Sequence, residues 1–177
     1  MQPKNACLFA LFLSLCLWSS CDKESPVFYS GAGKKPIYAP LSALRDIRNE
    51  APQPIGQSGT IFLRDTLLFL LDQGKGIHVF DISDSLNTVA LTFFNIPAAT
   101  DFVLSGSVLY ADSWKDLVVI DISNLFQIHE ISRIANVLTP ALYPPEFKGP
   151  FECVDESKGA VIGWENAELD NVKCLSE

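Results

Sequence analysis

The chain has 177 residues, 48% of them hydrophobic, and carries 21 acidic against 13 basic side chains for a net charge of −8 at neutral pH. That length suits one domain with a real core. No basic cluster exceeds Lys34-Lys35, which argues against nucleic acid as a partner, because phosphate binding needs concentrated positive charge.

Residues 1–20 read as a secretory signal: Lys4 near the start, an apolar run over 6–18 broken only by Ser14, then Ser19-Ser20 before Cys21. The apolar run would make roughly 20 Å of helix, short of the ~30 Å hydrocarbon core of a bilayer. Leu17-Trp18-Ser19-Ser20-Cys21 resembles a bacterial lipoprotein signal, in which the Cys is acylated and becomes the mature N-terminus. Trp18 stands where Leu is usual. The resemblance implies lipid attachment at Cys21 and a stable membrane anchor; the alternative is an ordinary signal with an incidental Cys. Asp22-Lys23-Glu24 resembles the short charged signals that send some Bacteroidetes lipoproteins to the cell surface. The expected location is therefore the outer membrane, on its periplasmic or cell-surface side. Residues 21–36 are polar and Gly-rich and read as a flexible tether. The domain proper is expected over 37–177, with a mature charge of −9 from 12 basic and 21 acidic side chains.

Residues 61–87 and 101–127 superimpose without a gap at an offset of 40, with seven identities over 27 positions: Phe62/Phe102, Asp72/Asp112, Lys75/Lys115, Val79/Val119, Asp81/Asp121, Ile82/Ile122 and Ser83/Ser123. A self-similar unit of this length marks a repeat architecture, in which no unit buries its apolar faces alone. The apolar runs are short, rich in Val, Ile and Phe, and separated by turn residues, which predicts strands. In the first copy these are 61–63, 67–71, 77–82 and 88–94; in the second, 102–104, 108–111, 117–122 and 128–134. Periodicity alone would make a helix of 128–138, but register with 88–94 predicts a strand. Leu41, Leu44 and Ile47 pose the same ambiguity ahead of the first unit. The repeats span about 59–98 and 99–138, and a fainter partial copy lies at 150–166, set off by the proline-rich stretch 139–145.

Four strands in about 40 residues is the layout of a β-propeller blade. Leu117-Val-Val-Ile-Asp-Ile-Ser123 is close to the consensus that names the LVIVD-repeat proteins, and Ile77-His-Val-Phe-Asp-Ile-Ser83 is a looser match. Tyr110-Ala-Asp-Ser-Trp-Lys-Asp-Leu117 is similar to LVIVD-repeat lipoproteins of Bacteroidetes. The resemblance implies an exported propeller and supplies no catalytic residues. The expected fold is all-β, an incomplete β-propeller of four-stranded blades with two clear blades and a partial third. Propellers close with roughly four to eight blades, so two leave apolar faces wet and strand edges unpaired. Three outcomes follow, in order of preference: a truncated relative of longer proteins, capping by terminal segments, or oligomerisation that covers the open edges.

Cys153 and Cys174 either form a disulfide that staples the tail or stay as two buried thiols. Asp81 and Asp121 read as strand-end acceptors for the following turn. A calcium loop at 81–87 fails for want of the turn Gly and the bidentate Glu. His78 and His129 lack partners in any catalytic or metal pattern and read as strand residues. Asp72 and Asp112, as equivalent positions, are expected to share one turn-forming job. Trp114 sits in a turn on one face of the array, where binding surfaces are built; it also has an apolar body that can fold back onto the next blade. Trp164 is expected to pack within the partial third copy. The candidate binding residues are thus Trp114, Asp112, Asp116 and Asp72, with no metal and no cofactor. The expected role is a non-enzymatic binding or scaffolding module for an unidentified protein or glycan. The rivals are a surface enzyme processing polysaccharide or peptide with paired carboxylates, and a remnant without independent activity.

Overall fold

A computed structural model describes residues 27–84 and 86–177; the signal, Cys21 and the first part of the expected tether lie outside them. The described residues form thirteen strands: β1 (Tyr29–Ala39), β2 (Arg48–Glu50), β3 (Ser58–Arg64), β4 (Leu67–Asp72), β5 (Gly76–Asp81), β6 (Val89–Asn95), β7 (Phe102–Ser105), β8 (Val108–Ser113), β9 (Asp116–Asp121), β10 (His129–Ile134), β11 (Gly149–Phe151), β12 (Ala160–Val172) and β13 (Cys174–Ser176). Two short 3₁₀ turns, Leu41–Arg45 and Glu156–Lys158, join them among the described residues.

The fold is all-β, built as three sheets consistent with partial propeller blades. The first blade is the meander β3-β4-β5-β6 with β2 added outside β6, and the second is β7-β8-β9-β10. The strand predicted at 128–134 is β10; the ambiguous stretch near Leu41 is a 3₁₀ turn followed by β2. Each strand turns one side chain in two toward the other blade, as a pleat requires. Phe69, Leu71, Ile77, Val79 and Phe94 from blade 1 thereby meet Phe102, Leu104, Leu109, Val118 and Ile120 from blade 2 in one buried cluster. Polar ties run beside it. Thr60 Oγ1 donates to Asp101 Oδ1 at 2.8 Å and Arg64 Nη1 to the Gly106 carbonyl at 2.6 Å. Asn49, on β2, donates to the Leu125 carbonyl and accepts from the Ile128 amide, both at 2.7 Å.

Hairpin geometry corrects the gapless repeat alignment. In the first hairpins Arg64 faces Leu67 and Ser105 faces Val108, so the copies are 41 apart there. Asp72 then faces Gly76 across three turn residues, whereas Ser113 faces Asp116 across two, Trp114 and Lys115. The missing residue restores the offset to 40 in the third and fourth strands. Because side chains alternate with period two, a slip of one reverses every face. Asp72 therefore corresponds to Ser113, Asp112 to Leu71, and Phe62 to Val103. The expected equivalence of Asp72 and Asp112 fails for this reason.

The third sheet has the order β12-β1-β11-β13, with β1 and β11 parallel and the other pairs antiparallel. It corrects the expected tether: from Tyr29 onward that segment is a central strand. Apolar burial does not hold it, so composition gives no sign of it. Backbone hydrogen bonds to neighbours on both sides do. Glycine permits the close approach, since a Cβ on Gly33 would lie 2.4 Å from the Pro150 carbonyl oxygen and 2.3 Å from Leu169 Cδ1. The partial third copy contributes β12, paired with β1 along most of its length.

A disulfide joins Cys153, just after β11, to Cys174 on β13, with Cα atoms 5.3 Å apart. Closing a loop of 21 residues removes unfolded-chain entropy worth about 3 kcal/mol in the loop-closure treatment. Reduction should therefore lower the thermal midpoint of the chain. If a Cys153→Ser, Cys174→Ser double variant melted at the wild-type temperature, the staple would have no energetic role.

The third sheet meets the blades at one end. Val161 and Ala160 pack with Leu44, Ala98 and Trp114 in a second buried cluster, flanked by Tyr38, Ile162 and Trp164. Trp164 also packs edge-on to Phe151, ring centroids 5.5 Å apart. The contact needs Gly74, whose φ is +75° and whose Cβ would fall 1.8 Å from the Ile162 carbonyl oxygen. Residues 51–57 reach the far side of blade 1, where the amides of Gly56 and Gln57 meet Asp72. They run from β2 at one edge to β3 at the other, across four strand spacings of about 4.8 Å each, within reach of an extended chain that long.

Candidate functional site

Between the outward face of blade 2 and the third sheet lies a cleft of about 420 Å³. Its floor follows from strand alternation. Leu109, Ala111 and Val118 turn toward blade 1, so Val103, Tyr110, Asp112 and Leu117 turn the other way, into the cleft. One wall is Val161–Trp164 of β12, and another is the stretch 138–145, which includes Pro140, Tyr143 and Pro145. The linker from blade 1 adds Ala98, Thr100 and Asp101, and the β4–β5 turn adds Gln73 and Gly74. The lining carries two acidic side chains and no lysine or arginine among the described residues.

Trp114 stands at the meeting point. Its φ of +63° places a bulky residue in the left-handed region, at a cost of about 1–2 kcal/mol that packing must offset. Trp114 as a whole is 8% exposed, in one buried cluster with Leu44, Ala98, Ala160 and Val161, and Lys115 Nζ lies 5.9 Å from its ring centroid. It is thus both a packed core residue and part of the cleft lining.

Asp112 accepts the amide hydrogens of Thr100 at 2.7 Å and Asp101 at 2.8 Å through Oδ1, and the Thr100 hydroxyl through Oδ2. Burial pushes its carboxyl above the usual range, and those hydrogen bonds only partly offset the push. Asp101, beside it, accepts from Thr60 and from its neighbour's amide at Phe102.

The other two candidates are elsewhere. Asp116 sits behind Trp114 in a smaller hollow of about 270 Å³, with Leu44 and Glu156. Its carboxylate accepts from the Asn136 amide at 3.0 Å and from Arg133 Nη1 at 3.1 Å. Arg133 is nearly enclosed and also donates to Glu130 and to the Leu44 carbonyl at 2.8 Å. Asp116 therefore has a structural network to satisfy. Asp72 lies on the far face of blade 1, 1% exposed, accepting from the Gly56 amide at 2.9 Å, the Gln57 amide at 3.1 Å and the His78 ring at 3.3 Å. Burial alone would raise its carboxyl. The amides of Gly56 and Gln57, His78 and Lys75 outweigh burial and hold it below the ordinary value. His78 is a strand residue, stacked on Phe80 and tilted on Phe93. Asp81 and Asp121 accept from the amides of Ser83 and Ser123, each at 2.8 Å, and those bonds lower both carboxyls.

Of the four candidates, the fold brings Trp114 and Asp112 together in the cleft, with Asp116 behind them and Asp72 apart. Sequence reasoning missed Tyr110, Tyr143, Asp101 and Trp164 as companions. Tyr110 had a signal: in 108–111 it alternates outward from Leu109 and Ala111. Tyr143 had another in Pro140 and the Pro144-Pro145 pair around it, which exclude a strand and leave a covering segment.

No curated protein and no solved structure matches the chain. A family match covers residues 98–135, from the linker through β10. That segment, blade 2 with the floor of the cleft, is an LVIVD repeat.

Proposed function

We propose that this chain is an exported, lipid-anchored binding module that takes a segment of a protein or glycan in the cleft on the outward face of blade 2. The observation that carries the reading is the cleft itself. Aromatic residues Tyr110, Trp114, Tyr143 and Trp164 line it together with hydrogen-bonding groups from Gln73, Thr100, Asp101 and Thr139. A mostly apolar concavity with a few convergent polar groups is the usual form of a ligand site. The N-terminal sequence supports the anchor, with Cys21 as the acylated residue and the outer membrane as the location.

The paired carboxylates Asp101 and Asp112 bring an enzyme to mind, since sugar-cleaving enzymes use two such groups. Asp112 has both oxygens engaged by Thr100 and Asp101, which favours a role in shaping the wall over proton transfer.

Tyr143 is 54% exposed and Tyr110 is 38% exposed, so truncating either leaves the packing intact. Calorimetric titration with panels of neutral oligosaccharides and of extended peptides should find a binder. Tyr110→Ala and Tyr143→Ala should each weaken that binder about tenfold, as loss of one aromatic contact of ~1–1.5 kcal/mol does, with unchanged melting. A binder indifferent to both substitutions would place the site elsewhere.

A further inference from the structure

Each blade has two faces, and the register of the hairpins says which positions correspond. Blade 1 holds blade 2 through Phe62, Phe69 and Phe94, and blade 2 answers with Phe102 and Leu104. The face of blade 2 turned away from blade 1 carries Val103, Tyr110 and Ile134 at the positions of Phe62, Phe69 and Phe94. The face of blade 1 turned away from blade 2 carries Ile61 and Leu63 at the positions of Phe102 and Leu104.

Corresponding positions differ sharply in exposure. Phe102 is 4% exposed and Ile61 60%; Leu104 is 8% and Leu63 59%; Phe94 is 0% and Ile134 50%. On blade 1 the covered part of the outer face lies toward the Asp72 turn, where Gly56 and Gln57 reach it; on blade 2, β12 and residues 138–145 cover the part beside the Trp114 turn on β7–β9, while Ile134 on the edge strand β10 stays open. Leu63 and Val103, both more than half exposed, lie toward the opposite hairpin ends.

We propose that these two faces bind each other between copies of this chain, blade 2 of one against blade 1 of the next. The occupant is a second copy because the chain already contains the interface in question. Its own blade 1 to blade 2 contact joins the faces that correspond to these by register, with the Thr60–Asp101 and Arg64–Gly106 hydrogen bonds alongside. Such a contact is heterologous, so successive copies repeat it until a ring closes. The next copy would also wall the open side of the cleft at Val103 and Tyr110.

The test uses the mature chain from Cys21, acylated there and with Cys153–Cys174 bridged, in mild detergent with Leu63→Cys and Val103→Cys, both at sites more than half exposed, and a short bismaleimide. The double variant should give cross-linked dimers and higher species on a reducing gel. Each single variant alone should stay monomeric, and a mixture of the two singles should stop at dimers. Self-cross-linking of either single variant, which signals an isologous contact, would overturn the proposal. So would a double variant, folded by circular dichroism, that yields no product at concentrations where the thiols label completely.

Discussion

Phe94→Ala should destabilise the protein by about 3–5 kcal/mol, the range for emptying a fully buried aromatic site, and most of the chain's marginal stability should go with it. Ile134→Ala, at the corresponding position of the next blade, should cost less than about 1 kcal/mol in the monomer, because a half-exposed side chain leaves no cavity. Phe94 is 0% exposed and faces the inter-blade cluster; Ile134 is 50% exposed on the open face. The two residues hold corresponding places in the fourth strands of successive blades, paired with Ile77 and Leu117 respectively. Intrinsic propensity therefore cannot separate them, and only the presence or absence of a neighbouring blade can. Urea unfolding of both variants, at a concentration low enough to keep chains apart, measures the contrast. Equal losses would mean that the second outer face is already covered in the isolated chain, contrary to the open-ended stack.

Asp72→Ala is the second large effect, expected near 3 kcal/mol. It would strand two backbone amides and the His78 ring under residues 51–57, and each buried donor left without a partner costs about 1–3 kcal/mol, less where water can enter. Asp72→Asn keeps one acceptor oxygen and should lose roughly half as much. The two variants should also differ from wild type in acid. A carboxyl lowered in the folded state adds stability above its unfolded value of about 3.9 and loses it as the pH falls through the depressed folded value. Asp112 acts in the opposite sense: its raised folded value means that its charged form is tolerated less well than in the unfolded chain, so its contribution declines as the pH rises through that value. Denaturation between about pH 6 and pH 2 should show a steeper acid loss for wild type than for Asp72→Asn. Parallel curves would assign the acid sensitivity to other carboxylates.

The blades were legible in the sequence because each strand carries its own local signal: a short run of Val, Ile, Leu or Phe between polar turns, repeated at a fixed distance. For the same reason repeat register outranks helical spacing at 128–138, where β10 forms over His129–Ile134. Register itself was not legible. Asp72 and Asp112 match by letter, yet a three-residue turn in one blade and a two-residue turn in the other put them on opposite faces. β1 was missed because Gly31, Gly33, Lys34 and Lys35 offer no apolar run, and its partners lie more than a hundred positions away. The cleft was half legible: Trp114 and Asp112 stood out in the turn, but Tyr143 and Trp164 reach it only through the path of 138–164 over blade 2.

Tyr29 pairs with Val172, nearly the whole length of the described chain apart. Blades 1 and 2 need only local segments and can assemble while synthesis continues. β1 has no such option. It is made early and must wait, with both backbone edges bare, until β11 and β12, within residues 149–172, emerge to flank it. Assembly of this sheet is accordingly the slow, high-contact-order step, and a nascent chain stalled before β12 presents a ready template for unwanted strand pairing.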